Sequence, residues 1–88
     1  MRVHFTDIGW KEYLSWGESP DIRTNINALI NEIQRTPFKG TGKPEALRGN
    51  WQGWWSRRIT REHRLIYAVE GKGAEQRVII AKCRDHYG

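Results

Sequence analysis

An apolar stripe with helical spacing is the sequence feature that most limits what this chain can form. The segment SPDIRTNINALINEIQRTP places five apolar side chains at i, i+4, i+7, i+8 and i+11: Ile22, Ile26, Leu29, Ile30 and Ile33. Such spacing lines one face of an α-helix and leaves the remaining surface polar. Ser19 suits the N-cap, Pro20 suits the first helical position, and Pro37 ends the pattern. A helix of this kind must bury its stripe against another element, so we expect a layered fold.

Three shorter segments show the two-residue alternation that is typical of β-strands, and a fourth, QRVIIAKC, is rich in β-branched residues. RVHF precedes a short helix that Thr6 or Asp7 can cap, whereas WWSRRI, HRLIYAV and QRVIIAKC follow the long helix. The short connections TRE and EGKGAE favour antiparallel hairpins between the last three strands. The predicted order is therefore β-α-α-β-β-β. We expect an α+β fold in which a mostly antiparallel sheet carries two helices on one face and leaves the opposite face open.

The length of 88 residues predicts a single domain, residues 1–88. Cys83 is the only cysteine, which excludes an internal disulfide and indicates a reducing compartment. No apolar run approaches the roughly 20 residues that a membrane span needs. We therefore expect a cytoplasmic protein that does not associate with a membrane.

Positive charge is concentrated in the middle third of the chain. Residues 35–64 carry eight basic and two acidic side chains, a net charge of +6 in a chain whose total is +5. A basic segment of this density is typical of proteins that bind a polyanion. A charged face that only keeps the protein soluble would look the same, and charge alone does not separate the two interpretations.

Few residues in or after the basic segment can carry out chemistry. The sequence lacks HExxH, clustered cysteines and paired histidines, and GTGKPEAL lacks the ending of a phosphate-binding loop, so we expect no metal and no cofactor. The titratable groups near the basic segment are Glu45, Glu62, His63 and His86, so carboxylates, several arginines and histidines remain as candidates. Cleavage of RNA by its own 2′-OH needs a base, an acid and cations on the phosphoryl oxygens. Glutamate, histidine and arginine can fill these roles, but the set is not specific to this reaction.

Three blocks in order carry a specific resemblance: GKPEAL, WSRRITREHRLIYAV and the HY pair near the C-terminus. Together with INALINEIQRTPF, they resemble the YoeB (Txe) toxins of the RelE/ParE superfamily along nearly the whole chain. The resemblance implies a RelE-like, microbial-RNase-like sheet with two helices on one side. It also implies a toxin of a type II toxin–antitoxin pair that cleaves messenger RNA in the ribosomal A site, a YefM-like antitoxin as partner, and a homodimer.

The resemblance also implies roles for individual residues, by position. Glu45 matches the general base of the family, Arg64 the arginine that stabilises the transition state, and His86 the general acid. Three further positions match residues that bind substrate: Arg48, Arg58 and Tyr87. At Arg48 many members have lysine, so a forked guanidinium replaces a point charge.

Two other functions stay open at the level of sequence. A toxin of the same superfamily could act on DNA gyrase, as ParE members do, although that activity does not need an acid–base pair. The sequence distinguishes only weakly between the endoribonuclease and a non-catalytic module that binds RNA or an antitoxin. Three tryptophans of the basic segment could stack on bases, but we expect structural roles for at least two of them: Trp51, Trp54 and Trp55. We expect His63 to be a turn residue.

Overall fold

The computed structural model describes residues 1–86 as an α+β fold with two α-helices and a five-stranded mixed sheet. The elements follow in the order β1 (Arg2–Phe5), α1 (Asp7–Ser15), α2 (Pro20–Arg35), β2 (Glu45–Ala46), β3 (Trp55–Arg58), β4 (Arg64–Glu70) and β5 (Arg77–Lys82). Short 3-10 turns lie at Gly49–Trp51 and Gly73–Glu75. The predicted α+β class and both predicted helices are confirmed. Neither α-helix of the described residues is long and apolar enough to cross a membrane.

The strands lie side by side in the order β1-β5-β4-β3-β2. β3 pairs antiparallel with β4, and β4 with β5, as the short connections predict. β1 instead pairs parallel with β5, with Val3 opposite Val78. The chain passes through both helices before it returns to the sheet, and a parallel pairing needs such a long crossover. The prediction of a mostly antiparallel sheet therefore needs one correction, because the sheet is mixed at the β1 edge.

The predicted order β-α-α-β-β-β is wrong by one strand, because it omits β2. In this two-residue strand, which lies in the glycine-rich segment between α2 and β3, Glu45 lies opposite Ser56. Gly42 lets the segment approach β3 closely: its carbonyl oxygen accepts the Arg58 amide at 2.7 Å, and its φ is 84°. A Cβ at this position would lie 2.9 Å from the Arg58 carbonyl oxygen. Two residues are too few for alternation to reveal a strand.

One face of the sheet packs against the helices and forms the main core. The predicted stripe is buried at four of its five positions and partly buried at Ile22. It meets residues of β4 and β5 that belong to the same core: Leu65, Tyr67, Val78 and Ile80. Helix α1 joins the same cluster through Tyr13 and through Trp16, which follows the helix. At Gly9 a Cβ would collide with the Ile80 carbonyl oxygen, so glycine is what allows α1 to lie against β5.

The opposite face of the sheet is partly covered, contrary to the expectation of an open face. Leu47, Ile66 and Ala81 form a second, smaller core, and Trp51 and Trp54 pack against it. Their rings are nearly perpendicular, with centroids 5.8 Å apart. Burial of these rings removes apolar surface that an open sheet would leave in water. The third tryptophan of the basic segment, Trp55, packs against the main core, so all three make structural contacts.

Candidate functional site

Strand register brings several predicted site residues onto one patch of the sheet. Glu45 lies opposite Ser56, and Arg58, two residues further along β3, lies opposite Arg64 at the start of β4. Residues two apart in a strand point to the same face. A cleft of about 250 Å³ is formed there by six residues: Lys43, Glu45, Ser56, Arg58, Arg64 and His86.

The charges in this cleft suit a polyanionic ligand. Three of the lining residues are cations, Lys43, Arg58 and Arg64, and they stand beside one carboxylate and one imidazole. Glu45, Arg58 and His86 are exposed and Arg64 is half-buried, so a large molecule can reach them. The patch can therefore bind phosphate through its cations and hold two proton-transfer groups next to it.

The guanidinium of Arg64 is oriented by the turn between β3 and β4. Its Nη1 donates to the carbonyl oxygens of Thr60, Arg61 and His63, at 3.1, 3.2 and 3.1 Å. A planar guanidinium held from one side keeps a defined direction, which is what a bidentate contact to phosphate requires.

A glutamate of α1 holds the chain where it leaves β5. Oε1 of Glu12 accepts the amides of Cys83 and Arg84 at 2.8 and 3.1 Å, and Oε2 lies 3.0 Å from Nζ of Lys82. One carboxylate thus binds two successive amides just beyond the last residue of the strand. Charge-assisted hydrogen bonds of this kind are stronger than neutral ones.

The buried indole of Trp16 holds the same segment from the core side. Its Nε1 donates to the Cys83 carbonyl oxygen at 2.9 Å, and the Arg84 guanidinium lies 4.1 Å from the centroid of its ring. The segment after β5 is therefore anchored by backbone bonds and by a cation–π contact. His86 extends from an anchored stretch of chain into the cleft.

Comparison with known proteins identifies the family. Residues 5–87 match the family described as "YoeB-like toxin of bacterial type II toxin-antitoxin system". The chain belongs to the YoeB-like toxins. It is 48% identical to Toxin YoeB of Escherichia coli K12 and 47% identical to Toxin YoeB of Streptomyces coelicolor, each over 99% of this chain and 100% of the relative.

Solved structures agree with this assignment. A YoeB/ParE toxin from Agrobacterium tumefaciens is 45% identical and superimposes with a TM-score of 0.93, over 99% of this chain and 100% of the other. The heterotetrameric YoeB–YefM toxin–antitoxin complex from Staphylococcus aureus matches with 34% identity and a TM-score of 0.86, over 99% of this chain and 98% of the other. A YoeB dimer from the same species gives a TM-score of 0.87 at the same identity and coverage.

Four of the six residues predicted for the site of this YoeB-like toxin share the cleft: Glu45, Arg58, Arg64 and His86. Arg48 does not line it, and is exposed just before the 3-10 turn at Gly49–Trp51. Tyr87 lies outside the described residues. The roles of all six residues remain predictions.

Two lining residues of the cleft are absent from the sequence prediction. Ser56 is buried, and the alternation along β3 places it on the face of Arg58. That signal was visible, but without β2 nothing connected Ser56 with Glu45. Lys43 has a φ of 52°, in the left-handed region of backbone conformation. Nothing in the sequence around this lysine predicts that conformation.

A buried arginine of this YoeB-like toxin organises the segment that leads to Glu45. Arg57 is fully buried and uses all three nitrogens of its guanidinium. They donate to five oxygens, which belong to Tyr67 (3.1 Å), Glu32 (2.8 Å), Thr41 (3.2 Å), Thr36 (2.6 Å) and Lys39 (3.0 Å). Three of these acceptors are backbone carbonyls between residues 36 and 41. Arg57 therefore fastens the start of the segment to β3, and the Gly42–Arg58 bond continues the attachment up to β2.

Two buried side chains with raised pKa values, Cys83 and Tyr67, do not line the cleft. Burial, together with the charge of Glu12, raises the pKa of the Cys83 thiol to about 12, so this thiol is protonated at neutral pH. Burial also raises the pKa of Tyr67, whose hydroxyl donates to the Pro37 carbonyl oxygen at 2.6 Å. Among residues 1–86, no group of three or more His, Cys, Asp or Glu side chains is placed to hold a metal ion.

Proposed function

We propose that this YoeB-like toxin is a ribosome-dependent endoribonuclease that cleaves messenger RNA in the A site and thereby inhibits translation. One observation carries the proposal: Glu45, Arg64 and His86, which are far apart in sequence, line one exposed cationic cleft. Cleavage of RNA by internal transfer needs a base, an acid and fixed cations, and this cleft contains a carboxylate, an imidazole and three cationic side chains.

In the proposed reaction Glu45 takes the proton of the 2′-OH next to the scissile phosphate. The freed oxygen forms a bond to phosphorus while the bond from phosphorus to the 5′-oxygen breaks. His86, in its protonated form, gives its proton to that leaving oxygen. The products are a 2′,3′-cyclic phosphate and a 5′-hydroxyl, and neither oxidant nor co-reactant is consumed.

Arginines supply the positive charge in this reaction, so the proposed mechanism is metal-independent. Arg64, oriented by the β3–β4 turn, faces the oxygens on which negative charge develops in the transition state. Arg58 binds the same phosphate or its neighbour from β3. Arg48 and Tyr87 complete the proposed substrate-binding set, with Arg48 reaching the RNA backbone outside the cleft.

The proposed protein partner is a YefM-like antitoxin, and the proposed oligomer is a homodimer. The support comes from the Staphylococcus aureus YoeB–YefM complex and YoeB dimer, both similar to this chain in structure. An acidic antitoxin segment would complement the net charge of +6 in residues 35–64. The toxin would act in the cytoplasm, where it meets both antitoxin and ribosomes.

The proposal is tested by mapping the ends of messenger RNA fragments in a reconstituted translation reaction. We expect cuts within the A-site codon, 5′-hydroxyl ends, and no cleavage when the nucleotide 5′ of the cut is 2′-deoxy. The matched control is the double variant Glu45→Gln, His86→Gln, which keeps the side-chain sizes similar and should not cut.

Three results would contradict the proposal. Undiminished cleavage of the deoxy substrate would exclude attack by the 2′-OH. Intact messenger RNA together with inhibited gyrase supercoiling would favour the gyrase-directed alternative. Growth arrest that persists in the double variant would favour a non-catalytic binding module.

A further inference from the structure

His63 is fixed at the base of the segment that carries His86. Its imidazole lies edge-on to the ring of Trp16, with centroids 4.7 Å apart, and its side chain is only 15% exposed. Nδ1 accepts the Asp85 amide at 2.8 Å. An imidazole nitrogen that accepts a hydrogen bond carries no proton, so this bond requires the tautomer of His63 whose proton lies on Nε2.

Both the backbone amide and the backbone carbonyl of Asp85 form hydrogen bonds. Its amide donates to His63, and its carbonyl oxygen accepts the amide of Arg64 at 3.1 Å. Its φ is 60°, in the left-handed region that few residues other than glycine, asparagine and aspartate adopt. The two hydrogen bonds hold the chain in this unusual turn, and the turn sets the direction in which the next residue, His86, leaves.

We infer that His63 is a positioning residue for His86, acting through the amide of Asp85; the inference rests on the proposed function, in which His86 is the general acid. His63 does not line the cleft and its Nδ1 is already engaged, so its contribution is geometric. His86 directly follows Asp85 in the chain, so displacement of the Asp85 backbone moves His86 directly. Misplacement of a reacting group by about 1 Å costs on the order of 10²-fold in rate.

Two substitutions at position 63 separate positioning from chemistry. His63→Phe keeps an aromatic ring against Trp16 but removes the acceptor for the Asp85 amide. His63→Asn gives up the ring but places an acceptor oxygen where Nδ1 stands, and an amide cannot act as a general acid. We expect the single-turnover cleavage rate of His63→Phe to fall by about 10²-fold with ribosome binding unchanged, and His63→Asn to recover most of the rate.

A third variant distinguishes the hydrogen bond of the Asp85 amide from an ion pair made by the Asp85 carboxylate. One carboxylate oxygen of Asp85 lies 3.7 Å from Nδ1, and an ion pair there could also hold the tail. Asp85→Asn removes the negative charge, keeps the amide and tolerates the positive φ. We expect this variant to cut at the wild-type rate. A large loss in Asp85→Asn would assign the anchoring to the ion pair and overturn the inference.

Hydrogen exchange at the Asp85 amide provides a readout that does not depend on catalysis. We expect protection of this amide in the wild type and in His63→Asn, and fast exchange in His63→Phe. A fast-exchanging Asp85 amide in the wild type overturns the inference, even if His63→Phe fails to fold. A fully active His63→Phe, or an inactive but folded His63→Asn, also overturns it; the second result would make His63 the acid. If the wild type itself does not cut RNA, the proposed function fails, and amide exchange still decides whether His63 holds Asp85.

Discussion

Nη1 of Arg57 lies 2.8 Å from Oε1 of Glu32, and the same carboxylate oxygen accepts the Thr41 amide at 2.6 Å. The arginine belongs to β3, the glutamate to α2, and the amide to the segment that leads to Glu45. One carboxylate oxygen therefore joins the sheet, the long helix and the approach to the cleft. Because Arg57 is fully buried, its charge depends on this partner for compensation.

The Glu32 carboxylate should make the protein sensitive to acid. Hydrogen bonds from Thr41, and then the Arg57 guanidinium, lower the pKa of Glu32 below its usual 4.5. A group whose pKa is lowered by folding stabilises the protein above its unfolded pKa, and this contribution is lost as pH falls through the folded pKa. The thermal midpoint should therefore decline below pH 4.5, and the gap between the wild type and Glu32→Gln should narrow there. Glu75→Gln, at an exposed position, is the control and should follow the wild-type curve.

Loss of the buried guanidinium should be strongly destabilising. Arg57→Ala removes the donor to three backbone carbonyls and leaves the Glu32 carboxylate without its cation. Breaking a buried ion pair from one side typically costs about 3–5 kcal/mol. Denaturant unfolding should show a loss of this size, whereas the exposed Arg61→Ala should change the free energy of unfolding very little. A small effect of Arg57→Ala would mean that water satisfies the released carbonyls.

Arg64 should contribute to the rate more than to binding. Removal of one preorganised donor typically costs on the order of 10²–10³ in rate. Arg64→Ala should show this loss in single-turnover cleavage while it still binds ribosomes. Arg77→Ala, on β5 in a surface pair with Glu70, is the matched control and should cut normally. A normal rate with weakened binding would assign Arg64 to a simple phosphate contact.

Removal of residues 86–88 should abolish cleavage and leave the fold intact. The anchors described for the chain after β5 end at Asp85, so this truncation keeps all of them. The thermal midpoint should fall by a few degrees at most, since about 1 kcal/mol corresponds to roughly 4–8 °C in a domain of this size. Removal of residues 84–88 should lower the midpoint further, because it also deletes the Arg84–Trp16 contact and both Asp85 bonds. Cleavage by the shorter truncation would show that another group is the acid.

The Cys83 thiol should resist alkylation in the native protein. It is fully buried, and its pKa of about 12 leaves almost no thiolate at pH 8. Iodoacetamide should modify it slowly under native conditions and rapidly in denaturant. Fast native labelling would indicate that the end of β5 opens readily.

Periodic patterns predicted much of this fold because burial acts on every residue of a long element. The stripe from Ile22 to Ile33 and the alternation in β4 each repeat several times, so the buried side of α2 and the side of β4 that faces the helices were correctly predicted. The parallel pairing of β1 depends on where the chain returns after two helices, and local patterns do not contain that information. The two residues of β2 are held by Gly42 and the neighbouring β3, not by their own pattern.

The residues of the candidate site were predicted from the family resemblance. Only part of their spatial arrangement could be predicted from the sequence. Glu45 and His86 are isolated polar residues whose proximity depends on register and on a short anchored segment. Arg57 stood on the core face in the β3 pattern, which marks a buried charge, but no spacing rule points to Glu32 as its partner. Glu12 and His63 look like ordinary surface and turn residues in the sequence, because they act as acceptors only for backbone amides that follow β5, at Cys83 and Asp85.

The inner position of β5 has a consequence for how the protein is made. β1 is the first strand in the chain and pairs with β5, which is the last. The pairing of Val3 with Val78 therefore cannot form until the intervening residues have been synthesised. Contacts this distant along the chain make folding slower, because a long loop must close before they form. The cleft also needs the residues that follow β5. A growing chain of this toxin therefore has no assembled cleft while its β5 is still being synthesised.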